Sequence, residues 1–595
     1  MKGLASGLFT LLVVGHLGGR PAAQVQTPAS GLVAGSLVAA DSGQPVRKAT
    51  VTLTSTTTRS RLTAESDGDG RFVFDAVPPG EYTLLATRTG YVPMVFGARA
   101  PGASQGGTPV RVQSGARVEN LRMSMPRAGV IAGTVTDEYG DSAYNVPVRA
   151  LRYAYDNGHR VVRAAGSATT NDLGEYRIAN LEPGEYLVTA VPRDTVAAAA
   201  ARAESIRRMQ AETAAAAAAG DREARAAVAT LAQARREGRM SAPPEPVGYV
   251  PTYYPRAVLP SLASVVPVSL GGLVVGIDLR LDVARTGSVS GTIMNTDGRP
   301  MQGNLKLIHP ALPVTPIGAW FTSSTPDGRF AFHGVVPGNY VLGGNNSPPG
   351  TIGGPPTAGG VFQMSGPVPV TVTDSGATQA EVRMEPVSAI SGRVNFDSIT
   401  APFRREEFRL NFLPVTTPAD WEMAIYRVVP AADGSFVIEN VVAARYRVGV
   451  SGAPEGWVVD SAMVNGRETA DTHLVVEPGR LYENAAISLT DQTSAVTGTV
   501  TNSRAEPVDQ LTVILFPERP EFRVPQSRRI RVGRTGPDGR FAFRGLPAGN
   551  YRIAAVVDHE AGREFEAEFL DTLAQASVSL MLGAGETKTH DLRVR

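Results

Sequence analysis

The sequence predicts an all-β protein of five tandem Greek-key β-sandwich modules, with an α-helical hairpin inserted in the second. Three observations predict it. One phrase recurs five times with a fixed internal spacing, apolar and polar residues alternate around it, and 63 Gly and 44 Pro in 595 residues supply many turns. A chain of this length is too long for one hydrophobic core, yet with 43% apolar and 19% charged residues it has the apolar surface to build several.

The phrase reads Gly70-Arg-Phe72, Gly174-Glu-Tyr176, Gly328-Arg-Phe330, Gly434-Ser-Phe436 and Gly539-Arg-Phe541. Each copy carries a Tyr twelve positions after its Gly, at Tyr82, Tyr186, Tyr340, Tyr446 and Tyr551. A second glycine opens each module, at Gly35, Gly133, Gly291, Gly392 and Gly498. The turn before each phrase needs Gly because Gly accepts positive φ, and an Asp beside it can bond back to the chain. Alternation then begins. Phe541 and Phe543 share one parity, as do Tyr551, Ile553 and Ala555 after the Pro547-Ala-Gly549 turn, so both strands turn an apolar face to a common core. A Tyr placed just after a Pro-Gly turn can bury its ring while its hydroxyl bonds to nearby backbone, a corner device of Greek-key sandwiches. The fourth copy has Val442-Ala-Ala-Arg445 before its Tyr, without the Pro and Gly, which predicts a looser turn. The markers divide the chain at 30–126, 127–285, 286–386, 387–491 and 492–595.

Spacing also locates the insertion. Tyr82 lies nine positions before Tyr91-Val-Pro93, whereas Tyr186 lies 63 before the matching Tyr249-Val-Pro251; beyond both, the distance to the next opening glycine is again equal. The extra chain, 194–244, is rich in strong helix formers. It predicts two helical arms, with Asp194 and Asp221 as N-caps, Gly220 ending the first arm and Ser241-Ala-Pro-Pro stopping the second. Its apolar stripe of Val196, Ile206, Met209, Val228 and Leu231 is thin, so the arms are expected to pair with each other and project.

Residues 1–23 have the layout of a secretory signal peptide: Lys2, an apolar run from Leu4 to Leu17, and a small-residue end near Ala23. The expected location is therefore periplasmic, cell-surface or extracellular, with no membrane-spanning segment after cleavage. Removal of Lys2 and Arg20 takes the formal charge from +1 to −1, leaving no net field to attract nucleic acid. The absence of Cys excludes disulfides, thiolate catalysis and Cys-based zinc sites.

Gly-x-Val at the module start, then Asp-Gly-x-Phe and Leu-x-x-Gly-x-Tyr, resembles the bacterial carboxypeptidase regulatory-like domain, a prealbumin-like sandwich family. The resemblance implies seven or so strands per module, of the carbohydrate-binding-like or Cna B-type kind. It implies no activity, since in carboxypeptidases such a domain sits beside the catalytic one. Some Cna B-type relatives are stapled by Lys-to-Asn isopeptide bonds. Here Lys48, Lys306 and Lys588 are the only lysines beyond the leader, and the second and fourth modules have none.

Chemistry is sparse. Seven His are scattered without a His-Glu-x-x-His pattern, and His559-Glu560 reads as an exposed loop pair. Asp67-Gly-Asp69-Gly70 resembles half a calcium loop but lacks the later oxygen ligands, so it reads as a turn. The Gly-rich run at 350–360 has no following helix and is no phosphate cradle. No Gly-x-Ser-x-Gly elbow occurs. No catalytic residue, cofactor or metal is expected. Exported sandwiches can hold sugars on flat rings, so Tyr249, Tyr253, Tyr254, Trp320, Trp421 and Trp457 are the candidate ligand contacts, with strand or interdomain packing as their plainer use. The expected function is that of a non-catalytic envelope or extracellular scaffold, spacer or adhesion-like binder. Its partner would be an envelope or extracellular protein or a glycan; a carbohydrate-binding protein is the alternative, and a cryptic hydrolase lacks a visible catalytic group.

Overall fold

The protein is seen here as a computed structural model. It describes residues 29–594 apart from 57, 99–100, 103–106, 193–217, 237–246, 311–318, 348–360, 374–375, 398–407, 416–424, 454–455 and 558. The expected leader, the first helical arm and the Gly-rich run at 350–360 lie outside the described residues, as does Trp421.

The third module shows the plan with least ornament. Its strands are Gly287–Met294, Asn304–Ile308, Ala319–Ser323, Arg329–Val335, Gly338–Asn345, Val368–Val372 and Ala377–Arg383. The first strand lies between the fourth, antiparallel to it, and the seventh, parallel to it. The second lies between the third and fifth, and the fifth also pairs with the sixth, all antiparallel. The two sheets face each other across the cluster of Val289, Ile293, Leu307, Phe330, Tyr340 and Val382. Among the described residues, four further large clusters of the same composition occupy the corresponding stretches of the chain. The phrase aromatic (Phe, or Tyr176 in the second copy) and the later Tyr of each copy belong to strands in opposite sheets, so the turn between them is the corner that carries the chain across the sandwich.

Both repeated glycines have identifiable physical causes. Gly70, Gly174, Gly328, Gly434 and Gly539 adopt φ of 74°, 73°, 80°, 85° and 72°, the left-handed region that favours Gly. The opening glycines do another job. A Cβ on Gly35, Gly133, Gly291, Gly392 or Gly498 would strike the carbonyl oxygen of Leu121, Ile277, Ala380, Ala485 or His590 respectively, at separations well inside 3.0 Å. The last segment of each module crosses the first strand so closely that only hydrogen fits there.

The five tyrosines share one geometry. Their hydroxyls donate to the carbonyl four residues back: Tyr82 to Pro78 (2.7 Å), Tyr186 to Glu182 (2.7 Å), Tyr340 to Val336 (2.6 Å), Tyr446 to Val442 (2.9 Å) and Tyr551 to Pro547 (2.7 Å). The fourth turn is therefore not looser, contrary to expectation. Tyr426 stands in for the missing Pro and Gly: its hydroxyl accepts from Val442 N at 3.0 Å, and its ring packs edge-on against Tyr446.

The second helical arm forms as α1, Arg222–Arg236, and Asp221 Oδ1 accepts from the amides of Glu223 (2.9 Å) and Ala224 (3.2 Å) as its cap. A further helix was not anticipated. In the fifth module α2, Ala567–Ala576, places Leu570 and Leu573 over Ile514, Phe516 and Ala554, making a small second core on the outer face of one sheet. This helix corrects the reading of His559. Its side chain is 6% exposed, stacks on Phe569 and sits 3.1 Å from Glu564, not in a free pair with Glu560. Burial alone would raise the Glu564 pKa, but hydrogen bonding by His559 and by backbone amides holds it below the ordinary value.

Neighbouring modules touch. Gly90 N donates to Asn180 Oδ1 at 2.6 Å, and Arg127 lies over the Tyr91 ring, joining the first module to the second. The second also reaches the fifth, where Gly158 N donates to Gly562 O at 3.0 Å and Arg563 lies over Tyr155.

Candidate functional site

The aromatic residues singled out in the sequence are mostly spent on packing. Tyr253 is fully buried beside Leu151 and Leu187, and Trp457 is 9% exposed, edge-on to Phe396. Neither ring has a face to offer a ligand, which removes both as contacts. Tyr254 packs on the second core, and Trp320 packs on the third while meeting Tyr340 edge-on at 5.4 Å. Tyr249 packs on the second core and donates through its hydroxyl to Glu138 Oε2 at 2.5 Å; that bond, with burial behind it, pushes its pKa up to about 12. The three tyrosines thus share a module, while Trp320 and Trp457 belong to two others.

Tyr249 nevertheless leads to a surface. Its partner Glu138 belongs to the turn 137–141, whose backbone is also held by Arg280, donating to Glu138 O at 2.5 Å. On this turn Tyr139 is 83% exposed, on the adjoining loop Tyr144 is 70% exposed, and on the phrase turn Leu173 is 62% exposed. These segments are tied into one end of the sandwich: Asp137 Oδ1 accepts from the amides of Tyr139 and Asp141, Asn171 Oδ1 from those of Leu173 and Glu175, and Val135 N donates to Gly174 O. Such a rigid turn set presents large apolar side chains that no core claims. They stand outside the repeat pattern and are not among the sequence-predicted contacts. The available signal was an aromatic inside a tight turn, in Asp137-Glu-Tyr-Gly-Asp141, where alternation has stopped and the side chain cannot follow a strand into the core.

Around the sheet edge from these turns lies an open cleft of about 530 Å³ lined by Gly133, Thr134, Glu175, Tyr176, Arg177 and Asp278. Asp278 accepts from Thr134 N and Oγ1, both at 2.8 Å, and Tyr176 donates to Ile277 O at 2.5 Å. The second module alone has Tyr where the other phrases have Phe, and that hydroxyl satisfies the carbonyl facing the opening glycine. These groups satisfy one another, so the cleft has a polar floor but no unused acid–base pair. Among the described residues no three His, Asp or Glu side chains gather as a metal site would require. The half calcium loop is a turn, with Asp67 Oδ1 accepting from the amides of Asp69 and Arg71.

Residues 33–124 match the carboxypeptidase regulatory-like domain. The first sandwich is similar to that domain. No curated protein matches the chain. Solved structures with local likeness include a streptococcal ancillary pilin, 14% identical over 60% of this chain and 99% of that one with a TM-score of 0.20. A minor pilin from Streptococcus agalactiae is 11% identical over 42% and 95% with a TM-score of 0.21. A putative carbohydrate binding protein from Pseudomonas aeruginosa is 19% identical over 16% and 91% with a TM-score of 0.12. The carboxypeptidase regulatory-like match leaves the residues beyond 124 to be read from their own geometry. They repeat its marker glycines and tyrosines four more times.

Proposed function

We propose that the chain is a non-catalytic, exported scaffold with adhesion-like binding, built of five modules at 30–126, 127–285, 286–386, 387–491 and 492–595. It would work in the cell envelope or outside the cell, and its partner would be an extracellular or envelope protein or a glycan. One observation carries this reading: the repeated residues are consumed by corners and close strand approaches, while the large exposed side chains Tyr139, Tyr144 and Leu173 gather on turns that the fold does not need them for. Binding surfaces are commonly mounted this way, as loop side chains on a rigid scaffold. The contact between the second and fifth modules shortens the reach the array would have as a spacer, which favours a scaffold. Two exposed tyrosine rings on one rigid end also support the carbohydrate-binding alternative, because flat rings stack on sugars.

The test uses the full chain without residues 1–23 on a glycan array and in cross-linking to intact envelope, beside a Tyr139→Ser, Tyr144→Ser double variant. Both positions are exposed, so the variant should melt as the parent does while its binding falls at least tenfold. Binding unchanged in the variant would remove this surface from the account, and turnover of peptide or glycoside substrates would overturn the non-catalytic reading.

A further inference from the structure

Two departures from the seven-strand plan meet in space. In the second module the second and third strands, Pro147–Asp156 and His159–Thr169, run 10 and 11 residues, against 5 each for Asn304–Ile308 and Ala319–Ser323 of the third module. They pair down to Asp156 opposite His159, and the turn between them is Asn157-Gly158 at φ of 50° and 82°, a two-residue form whose twist matches that of its strands. The departure of the fifth module is α2 with the turn that precedes it, Arg563–Phe565. Tyr155, Gly158 and Gly562 belong to no core cluster of either module, so these two additions do not meet in order to complete a core.

The hairpin tip and that turn fit closely. Gly158 N donates to Gly562 O at 3.0 Å, and each glycine faces backbone of the other module. A Cβ on Gly158 would lie 2.4 Å from Phe565 O, and one on Gly562 would lie 2.6 Å from Tyr155 O. Arg563 faces a ring from each module, 5.7 Å from the centroid of Tyr155 and 4.8 Å from that of Phe569 on α2, while its Nε pairs with Glu566 at 3.1 Å. The receiving turn is braced from behind, because Glu564 Oε2 accepts from Gly562 N at 2.6 Å and lies 3.1 Å from His559 Nε2. Each side is thus held in the shape that the contact requires.

The fifth module is also tied to the fourth, where Asp471 takes Arg528 Nε and Arg529 Nη2 on its two carboxylate oxygens, both at 2.6 Å. Since the chain runs from the second module through the third and fourth to the fifth, the hairpin contact closes these four into a loop. We infer that this contact is a latch, which holds the array in a short closed form and releases it to an extended one without unfolding any module. Size and tether carry the inference. A contact of two turns is far smaller than the interfaces that hold separate molecules together, but the intervening modules present one turn to the other at an effective concentration on the order of millimolar. Closure is therefore a property of the single chain, and a small, partly polar contact between modules of one chain is the kind that opens. A partner that holds the second and fifth modules apart would lengthen the array.

The chain has no Cys, so Ala165→Cys on the hairpin and Gln575→Cys on α2, both exposed, can carry nitroxide labels whose separation is read by pulsed electron paramagnetic resonance in the full chain. The labelled parent should give one narrow distance, unchanged on tenfold dilution. Gly158→Asn should lengthen and broaden it, because Asn accepts a left-handed φ and keeps the hairpin turn while its side chain strikes Phe565 O. Gly140→Asn makes the same change at positive φ on an open turn of the same module, with nothing within 4 Å, and should leave the parental distance. Tyr155→Ser removes the ring facing Arg563 and keeps both turns, so it should move part of the population to the broad form. A broad distance in the parent, loss of the narrow one on dilution, equal opening by Gly140→Asn, or the parental distance in either latch variant would overturn the latch.

Discussion

At the scale of single residues, the repeated glycines show how two identical letters can have unrelated causes. The phrase glycines are needed for their positive φ, which an Asp-Gly turn announces in the sequence. The opening glycines are needed for space, which nothing local announces. The obstructing carbonyl arrives on the last, parallel segment of the module, roughly 90 residues later in four modules and roughly 140 later in the second, which carries the insert. Their positions were legible from the repeat and their reason was not. The two causes separate experimentally. Gly291→Ala places a methyl on the Ala380 carbonyl, whereas Gly68→Ala meets nothing within 4 Å and has no positive φ. The first should cost about 3 kcal/mol or more, as overpacking does, and the second within about 0.5 kcal/mol either way. Amide hydrogen exchange of the third and first modules in the full chain measures both. Equal losses would mean that the close approach is not fixed in solution. Tyr446 teaches a related lesson: its turn residues had changed, yet it keeps its bond to Val442 O, and Tyr426, twenty positions upstream and in another strand, braces the turn by accepting from Val442 N.

At the scale of elements, strands were legible from alternation, and the one helix that was missed had left its trace in a strand. The segment Thr512–Pro517 reads TVILFP and is buried at every position, so both of its faces are covered, whereas a sandwich strand with a free outer face alternates. Something had to lie over Ile514 and Phe516. The covering α2 is short, and Phe569, Leu570 and Leu573, with Phe565 in the turn just before it, give a recognisable apolar stripe once the uncovered face is noticed. Leu570 is fully buried there, so Leu570→Ala should destabilise the fifth module by about 2 to 5 kcal/mol, read by chemical denaturation of the full chain. A loss near zero would mean that the helix does not seat. The insert of the second module makes the opposite prediction. The spacing of the repeat markers is the same beyond residues 194–244 as in the first module, so the sandwich strands on either side need nothing from the insert to keep their register. Deleting 194–244 should therefore leave exchange protection of Ile131, Tyr186 and Val266 within a few-fold of the parent. Complete loss of protection would make the insert part of the fold.

At the scale of the whole molecule, the repeat count and the insertion could be read from the chain, but the junctions could not, because they depend on outward-facing side chains that obey no repeat. Asp471 illustrates this: nothing in Thr469-Ala-Asp-Thr472 marks it as the partner of two arginines almost 60 residues away. Its behaviour with pH follows from those partners. Burial acts to raise its pKa, but hydrogen bonds and charge from Arg529 and Arg528 outweigh it and leave the carboxyl below its ordinary value near 4. A carboxyl whose pKa is depressed by folding stabilises the folded junction fully above that ordinary value. The contribution is lost as pH falls from about 4 through the lower folded value. The fifth module should therefore loosen from the fourth in acid while each sandwich core, which is apolar, persists to lower pH. Asp471→Asn should remove that acid step, because no ionised carboxyl is left to titrate. At pH 7 the variant should also weaken the junction by about 3 kcal/mol or more, since it leaves Arg528 and Arg529 buried without a counter-charge. Hydrogen exchange of the loop 524–530 between pH 7 and pH 3 follows the step directly. An acid transition that survives unchanged in Asp471→Asn would place the titrating group elsewhere and take from Asp471 its role as the counter-charge of this junction.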